Sequence, residues 1–236
     1  MKYLKLFVVL SVPALLIACN KDKTNDPVPG GIPKVKMDDY AVYKYDAQGR
    51  QTEAAVLDGS KIVYTYSGNI ISEKRYDNTG GFVLERIHEL NGSGFVQKTT
   101  YGAPSASRFA YQYNAAGQLV NEHFFTGPLS DSTDKTYFYS SSGRLDSVIS
   151  SKNNYSVPVY KQYYEYAESR RNTISHINFG LLFMGTIRSA VPATKTTTVY
   201  PVGPQQLETE VYTYDAYNRI SKVSYNGGSS TNYTYY

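Results

Sequence analysis

The chain has 236 residues, 25 of them tyrosine, with one cysteine, no tryptophan and a formal charge of +4. That length holds one domain with a sizeable core, or two small ones. A lone cysteine excludes an internal disulfide, and without a block of five or more basic residues the electrostatic footprint of a nucleic-acid binder is missing.

The first element in chain order is a targeting segment. Lys2 and Lys5 precede an apolar stretch from Leu6 to Ile17, broken only by Ser11 and Pro13. It is too short for a membrane-spanning helix, which needs about 20 apolar residues. The stretch ends in Leu16-Ile17-Ala18-Cys19, which resembles the lipobox of bacterial lipoprotein signal peptides. The resemblance implies that residues 1–18 are removed after a diacylglycerol is attached to the Cys19 sulfur. Three acyl chains on the mature terminus would exceed the two-signal threshold for stable anchoring. Loss of Lys2 and Lys5 takes the formal charge from +4 to +2.

Residues 19–37 form the next unit, a lipidated terminus followed by a flexible tether. Pro27, Pro29, Gly30, Gly31 and Pro33 stand among charged residues without periodicity, as in a semi-extended linker. Lys21-Asp22 partly resembles the signal that exports some lipoproteins to the cell surface, with Lys23 where a second acidic residue is expected. The implied address is the outer membrane, facing either the periplasm or the exterior.

Residues 38–236 carry an internal repeat. Tyr43-x-Tyr45, Tyr111-x-Tyr113, Tyr137-x-Tyr139 and Tyr212-x-Tyr214 are each followed by Asp, Asn or Ser, then by Gly or Asn three residues later. Tyr64-x-Tyr66 has a turn one residue shorter. Weaker copies begin at Lys74, His88, Tyr164 and Thr198, and a truncated one ends the chain at Tyr233-x-Tyr235. Intervals of 21, 26 and 21 residues (43 to 64, 111 to 137, 212 to 233) match a hairpin of two strands of about 9 residues. Tyrosines two apart share one strand face. The turn-entry side chain can bond the backbone two residues on, and Gly or Asn supplies the left-handed residue of a type I turn with a bulge. Arg50, Arg144 and Arg219 start return strands, where a guanidinium can lie across a tyrosine ring of the partner strand.

These residues resemble the YD repeat of RHS-type proteins, whose hairpins wind into a shell. Together with the lipobox and tether, they resemble small bacterial lipoproteins of unknown function with degenerate YD repeats. That resemblance implies a porin-like β-barrel fold. The expected architecture is all-β: an antiparallel meander of about 14–16 strands, closed or nearly closed into a barrel-like body, because long open edges invite association. Leu207, Thr209, Val211 and Thr213 are expected on one strand face, opposite Glu208, Glu210, Tyr212 and Tyr214. Residues 160–171 read as strand from the repeat register. The apolar run Phe179 to Ile187 breaks the rhythm and reads as a buried strand or a plug, or else as an exposed contact loop. The mature body holds nine leucines and its strands alternate with polar residues, unlike a lipid-facing barrel. A tethered body is therefore expected.

Catalytic motifs are missing from the sequence. His88, His123 and His176 are scattered, and Gly92 stands where the His88-Glu89 pair would need a second metal-binding histidine. No nucleophile elbow, phosphate loop or dinucleotide fingerprint occurs. The expectation is a non-enzymatic binding module at the cell envelope, without cofactor or metal, contacting membrane through its lipid and a glycan, extended peptide or protein as ligand. Tyr43, Tyr45, Tyr111, Tyr113, Tyr137, Tyr139, Tyr212 and Tyr214 are the candidate contact residues, because phenol rings give flat amphipathic area at low entropic cost. The alternatives are a structural envelope component with protein partners only, and a hydrolase with carboxylates from separate strands. Oligomeric state is left open.

Overall fold

The computed structural model describes residues 32–102, 107–126, 131–152, 159–166, 172–175, 179, 181–185, 194–199 and 206–236. Cys19, the signal peptide, most of the tether and His176 lie outside the described residues. The first eight strands are β1 (Val35–Asp38), β2 (Ala41–Tyr45), β3 (Gln51–Val56), β4 (Lys61–Ser67), β5 (Ile70–Tyr76), β6 (Phe82–Leu90), β7 (Val96–Tyr101) and β8 (Arg108–Tyr113). The rest are β9 (Leu119–Thr126), β10 (Asp131–Tyr139), β11 (Leu145–Lys152), β12 (Tyr160–Glu165), β13 (Thr194–Val199), β14 (Gln206–Tyr214), β15 (Ile220–Tyr225) and β16 (Ser230–Tyr235). Each pairs antiparallel with its chain neighbours, and β1 pairs with β16 through Val35–Tyr235 and Asp38–Tyr233, closing the barrel. The all-β meander expected from the repeat is thus found, with sixteen strands among the described residues. Strand β1 opens at Val35, inside the segment read as tether, because Val35 is fully buried against the closing strand.

The repeat is a turn that flips two buried positions into one face. In the first copy Asp46 N–H donates to the Arg50 carbonyl and Gly49 N–H to the Asp46 carbonyl, both at 2.9 Å. Gly49 has φ +72° and Asn218, its counterpart, φ +58°, the left-handed residue that closes a type I turn with a bulge. Asp46 Oδ1 also accepts from Gln48 N–H and Arg50 N–H. Tyr45 then faces Gln51, Lys44 faces Glu53 and Tyr43 faces Ala54, so Thr52 is the extra residue. Gln51 and Ala54, three apart, both point inward opposite tyrosines. Leu145/Val148 and Ile220/Val223 repeat the arrangement, and all six of these residues are buried.

Adjacent hairpins are locked through the second tyrosine of each pair. Tyr66 donates to the Gln51 carbonyl at 2.7 Å, Tyr139 to Leu119 at 2.8 Å, Tyr166 to Leu145 at 2.9 Å and Tyr235 to Ile220 at 2.7 Å. The arginine expected to cover a ring of a partner strand does so, and that partner is the neighbouring strand of the following hairpin. Arg50 covers Tyr66 at 4.3 Å, Arg144 covers Tyr166 at 5.6 Å and Arg219 covers Tyr235 at 4.5 Å. In the weak copy at His88, Phe95 occupies the arginine position and stacks on Tyr113 at 5.1 Å. The copy at Lys74 keeps the turn chemistry, with Asp77 N–H donating to Gly81. It lies at the opposite end of the barrel, and its Tyr76 packs on Phe82, which is exposed.

Sixteen strands enclose more space than short side chains can fill. Described residues of the connection from β12 to β13 supply filling. Phe179 meets Tyr43 edge-on at 5.0 Å, Phe183 packs on Tyr64 and Tyr66, and Ile174 packs beside Ile220 and Val223. Thr173 Oγ1 accepts from Ile220 N–H at 2.8 Å. With Thr173 Oγ1 also 3.1 Å from the Tyr235 hydroxyl, the segment touches β2, β4, β15 and β16 and lies inside the barrel. The described part of the apolar run is therefore a plug, seated at the end that carries the tyrosine-linked turns. On β14 the alternation holds: Leu207 and Val211 face outward and are exposed, while Tyr212 and Tyr214 pack on the inner cluster.

Candidate functional site

Beyond the plug, toward the opposite end, the lumen keeps a cavity of about 400 Å³. Its wall is built from inward positions of β4 to β10, and its floor from Leu181, Phe183 and Met184 of the plug. Strand alternation sets which side chains reach it. Glu73 and Arg75 sit two apart on β5, Arg86 and His88 on β6, Thr99 and Tyr101 on β7, and Phe109 and Tyr111 on β8.

Glu73 is the centre of the charge network and is 5% exposed. Arg75 Nε and an Arg86 Nη each donate to its Oε1 at 3.0 Å, Tyr64 donates to Oε2 at 3.3 Å, and His88 Nε2 stands 3.5 Å from Oε2. Burial alone would raise the carboxyl, but the His88 ring and the charges of Arg86 and Arg75 outweigh it and hold it at about 2. Glu73 is thus a fixed carboxylate with its oxygens occupied. His88 is oriented through Nδ1 by the Thr99 hydroxyl at 2.8 Å. Across the cavity Lys135 and Glu122 pair at 2.7 Å. Burial works to lower the Lys135 ammonium, and the Glu122 pair overcomes it and raises it above the ordinary lysine value.

Aromatic rings line the remaining wall. Phe109 stacks on Phe124 at 4.4 Å and lies nearly parallel to Tyr111 at 5.9 Å. Arg86 covers Tyr101 at 5.0 Å. Burial pushes the Tyr111 phenol up to about 12. Arg75 keeps 38% of its side chain exposed and Lys135 34%, so solvent reaches both. Such a cavity, apolar below and ringed by a few fixed charges, can hold a small polar molecule and orient it.

Of the tyrosines singled out in the sequence, Tyr111 lines this cavity. Tyr43 donates to Asp38 at 2.8 Å and Tyr45 to the Val35 carbonyl at 2.5 Å. Tyr113 packs against the plug and Tyr139 is the lock to Leu119. Tyr137 is buried near Glu122, and both effects raise its phenol. Tyr212 donates to Glu210 and packs with Tyr214 on the Ile220/Val223 cluster. These rings face inward and do not form an outer platform. The charged residues were the part missed. Their signal was available in the alternation, since Lys135 is two residues from Tyr137 and therefore shares its inward face.

Protein-family models and curated protein sequences give no match to this chain. Among solved structures it is similar to a porin-like protein from Bacteroides uniformis, with TM-score 0.58 and 13% identity over 86% of this chain and 95% of that one. It is also similar to a porin-like protein from Bacteroides vulgatus, with TM-score 0.63 and 14% identity over 86% of this chain and 99% of that one. The fold is therefore porin-like, as the resemblance drawn from lipobox, tether and repeats implied.

Proposed function

We propose that this chain is a lipid-tethered outer-membrane barrel that binds a small glycan in its lumen, without transforming it. The observation that carries the reading is the cavity of about 400 Å³ with rings on one wall and immobilised ion pairs on the others. Flat aromatic faces suit the C–H faces of sugars, and fixed charges orient hydroxyls. An extended peptide adding to a sheet edge fits less well, because pairing of β1 with β16 removes that edge. Glu73 holds two guanidinium groups and Glu122 an ammonium, so neither carboxylate is poised for proton transfer.

Tethering through Cys19 is favoured over insertion by the outer face. Lys61, Val63 and Thr65 point outward on β4, and Arg108, Ala110 and Gln112 on β8, whereas an inserted barrel presents an apolar band about 25 Å tall. The chain enters β1 at the plugged end, so the anchor would lie at that end and the cavity on the side away from it. A purely structural role draws on a different feature, the exposed Tyr40, Leu57, Phe82 and Val83 around turns at the unplugged end, which a protein partner could cover.

The test is thermal stability of the full chain in detergent against sugars, peptidoglycan fragments and peptides. A ligand at 100 times its dissociation constant adds about 2.7 kcal/mol to stability. Stabilisation by a glycan, lost in Tyr111→Ala, is expected. No stabilisation by any of the panel would overturn the reading in favour of the structural role.

A further inference from the structure

We infer that the lumen selects an anionic sugar, one bearing a carboxylate on its ring, and that Arg75 is the residue that meets the charge. This rests on the proposal that the lumen is a glycan site and adds its chemical class. Among the described residues the cavity wall carries three fixed cations, Arg75, Arg86 and Lys135, against two carboxylates, Glu73 and Glu122. Lys135 and Glu122 neutralise each other at 2.7 Å. Glu73 is shared by two guanidinium groups at 3.0 Å each, so that cluster keeps one positive charge in excess.

Geometry decides which cation is presented. Arg86 is the more enclosed of the two, 25% exposed, lying over the Tyr101 ring with a buried Nε that has no hydrogen-bond partner among the described residues. Arg75 is 38% exposed and ties only its Nε to Glu73. The fork beyond Nε can therefore take a second carboxylate side by side. Glu73 behind it stays ionised and keeps the guanidinium in place. The cavity volume is near the lower end of small-ligand sites, about 300–1,000 Å³, which fits one or two sugar rings. With the carboxylate on Arg75, the ring itself would lie along Phe109 and Tyr111.

Matched ligands test the assignment on the full chain. A galacturonate dimer, its methyl ester, the corresponding neutral galactose dimer and galactose phosphate are compared by calorimetry. The acid is expected to bind at least about tenfold more tightly than the ester or neutral dimer, a difference of the size one ion pair supplies. Arg75→Gln should abolish that preference while leaving weak neutral-sugar binding, and added salt should reduce the preference in the parent protein. Equal binding of acid, ester and neutral dimer would overturn the anionic assignment and leave the glycan site standing. Tight binding of the phosphate with none of the carboxylate would overturn the carboxylate assignment. Failure of every ligand to bind would overturn the glycan site itself.

Discussion

The hydroxyl of Tyr66 donates to the backbone carbonyl of Gln51, fifteen residues earlier and on the preceding hairpin, at 2.7 Å. The ring that brings it there lies under Arg50, whose Nε is held by Asp46 at 2.7 Å. Four residues of the repeat thus act together: aspartate shapes the turn and holds arginine, arginine covers tyrosine, and tyrosine ties the next hairpin to the turn. Arg219, Asp215, Tyr235 and Ile220 repeat the unit near the closure of the barrel.

Removing one hydroxyl separates this lock from simple ring packing. Tyr66→Phe keeps the ring and leaves the Gln51 carbonyl without its phenol donor. It should cost about 1 kcal/mol, read as a fall in Tm of about 2–4 °C. Tyr113 is the internal control, because its hydroxyl is buried with no hydrogen-bond partner among the described residues. Tyr113→Phe should leave Tm unchanged or raise it. Equal losses in both variants would show that the hydroxyl bond contributes nothing particular.

The repeat was legible because its parts are local. Tyr-x-Tyr, the turn aspartate and the left-handed Gly or Asn lie within eight residues, and each dictates backbone geometry directly. Strand count followed from spacing, whereas closure was expected from the liability of open edges and from the family resemblance. The plug was legible as the apolar break at Phe179 to Ile187, whose described residues fill the lumen. What could not be read was the meeting of Glu73 with Arg86, or of Glu122 with Lys135. Each pair sits 13 residues apart and meets through cross-strand register, which in the hairpin of Glu73 and Arg86 also carries a shift between Arg75 and Tyr76. Rings sharing one strand face suggest a contact surface. Closure of the sheet turns that face inward, where Tyr43, Tyr45 and Tyr139 bond within the barrel and Tyr111 lines the cavity.

Plug seating depends on Gly185. It has φ +66°, and a Cβ there would run into the Tyr113 ring. Gly185→Ala should destabilise the fold by about 1–3 kcal/mol through backbone strain and overpacking. Gly68→Ala, at φ +57° with open space around it, carries only the backbone strain. Denaturant midpoints of the two variants should therefore differ, with Gly185→Ala lower. A midpoint for Gly185→Ala equal to that of Gly68→Ala would contradict this seating.

The proposed lipid anchor has its own test in cells. Cys19→Ala should accumulate as an uncleaved precursor that incorporates no labelled fatty acid, while the barrel folds unchanged. Normal labelling of that variant would remove the lipoprotein reading.

Alkaline titration should expose the internal phenols. Burial raises Tyr66, Tyr111 and Tyr235 to about 12 from 10.0. Their folded form favours the neutral ring, so their stabilising share is complete below pH 10.0 and is lost as pH climbs from there toward about 12. Phenolate absorbance should thus rise in an early step from exposed rings, then sharply together with unfolding. A single smooth titration near pH 10.0 in folded protein would be incompatible with inward-facing tyrosines.

At the acid end Glu73 dominates the pH response of the lumen. Its carboxyl is held at about 2 against an ordinary 4.5, so the unfolded chain binds a proton more readily than the folded one. The stability it contributes is complete above pH 4.5 and disappears as pH falls toward about 2. The shift corresponds to about 3 kcal/mol over that window. Glu73→Gln should flatten the fall of stability across the same interval. It should also lower stability at neutral pH, because Arg75 and Arg86 then share the lumen without their counter-charge. Urea midpoints measured from neutral pH downward give both slopes. Parallel curves for parent and variant would mean that the network around Glu73 is not what the barrel loses in acid.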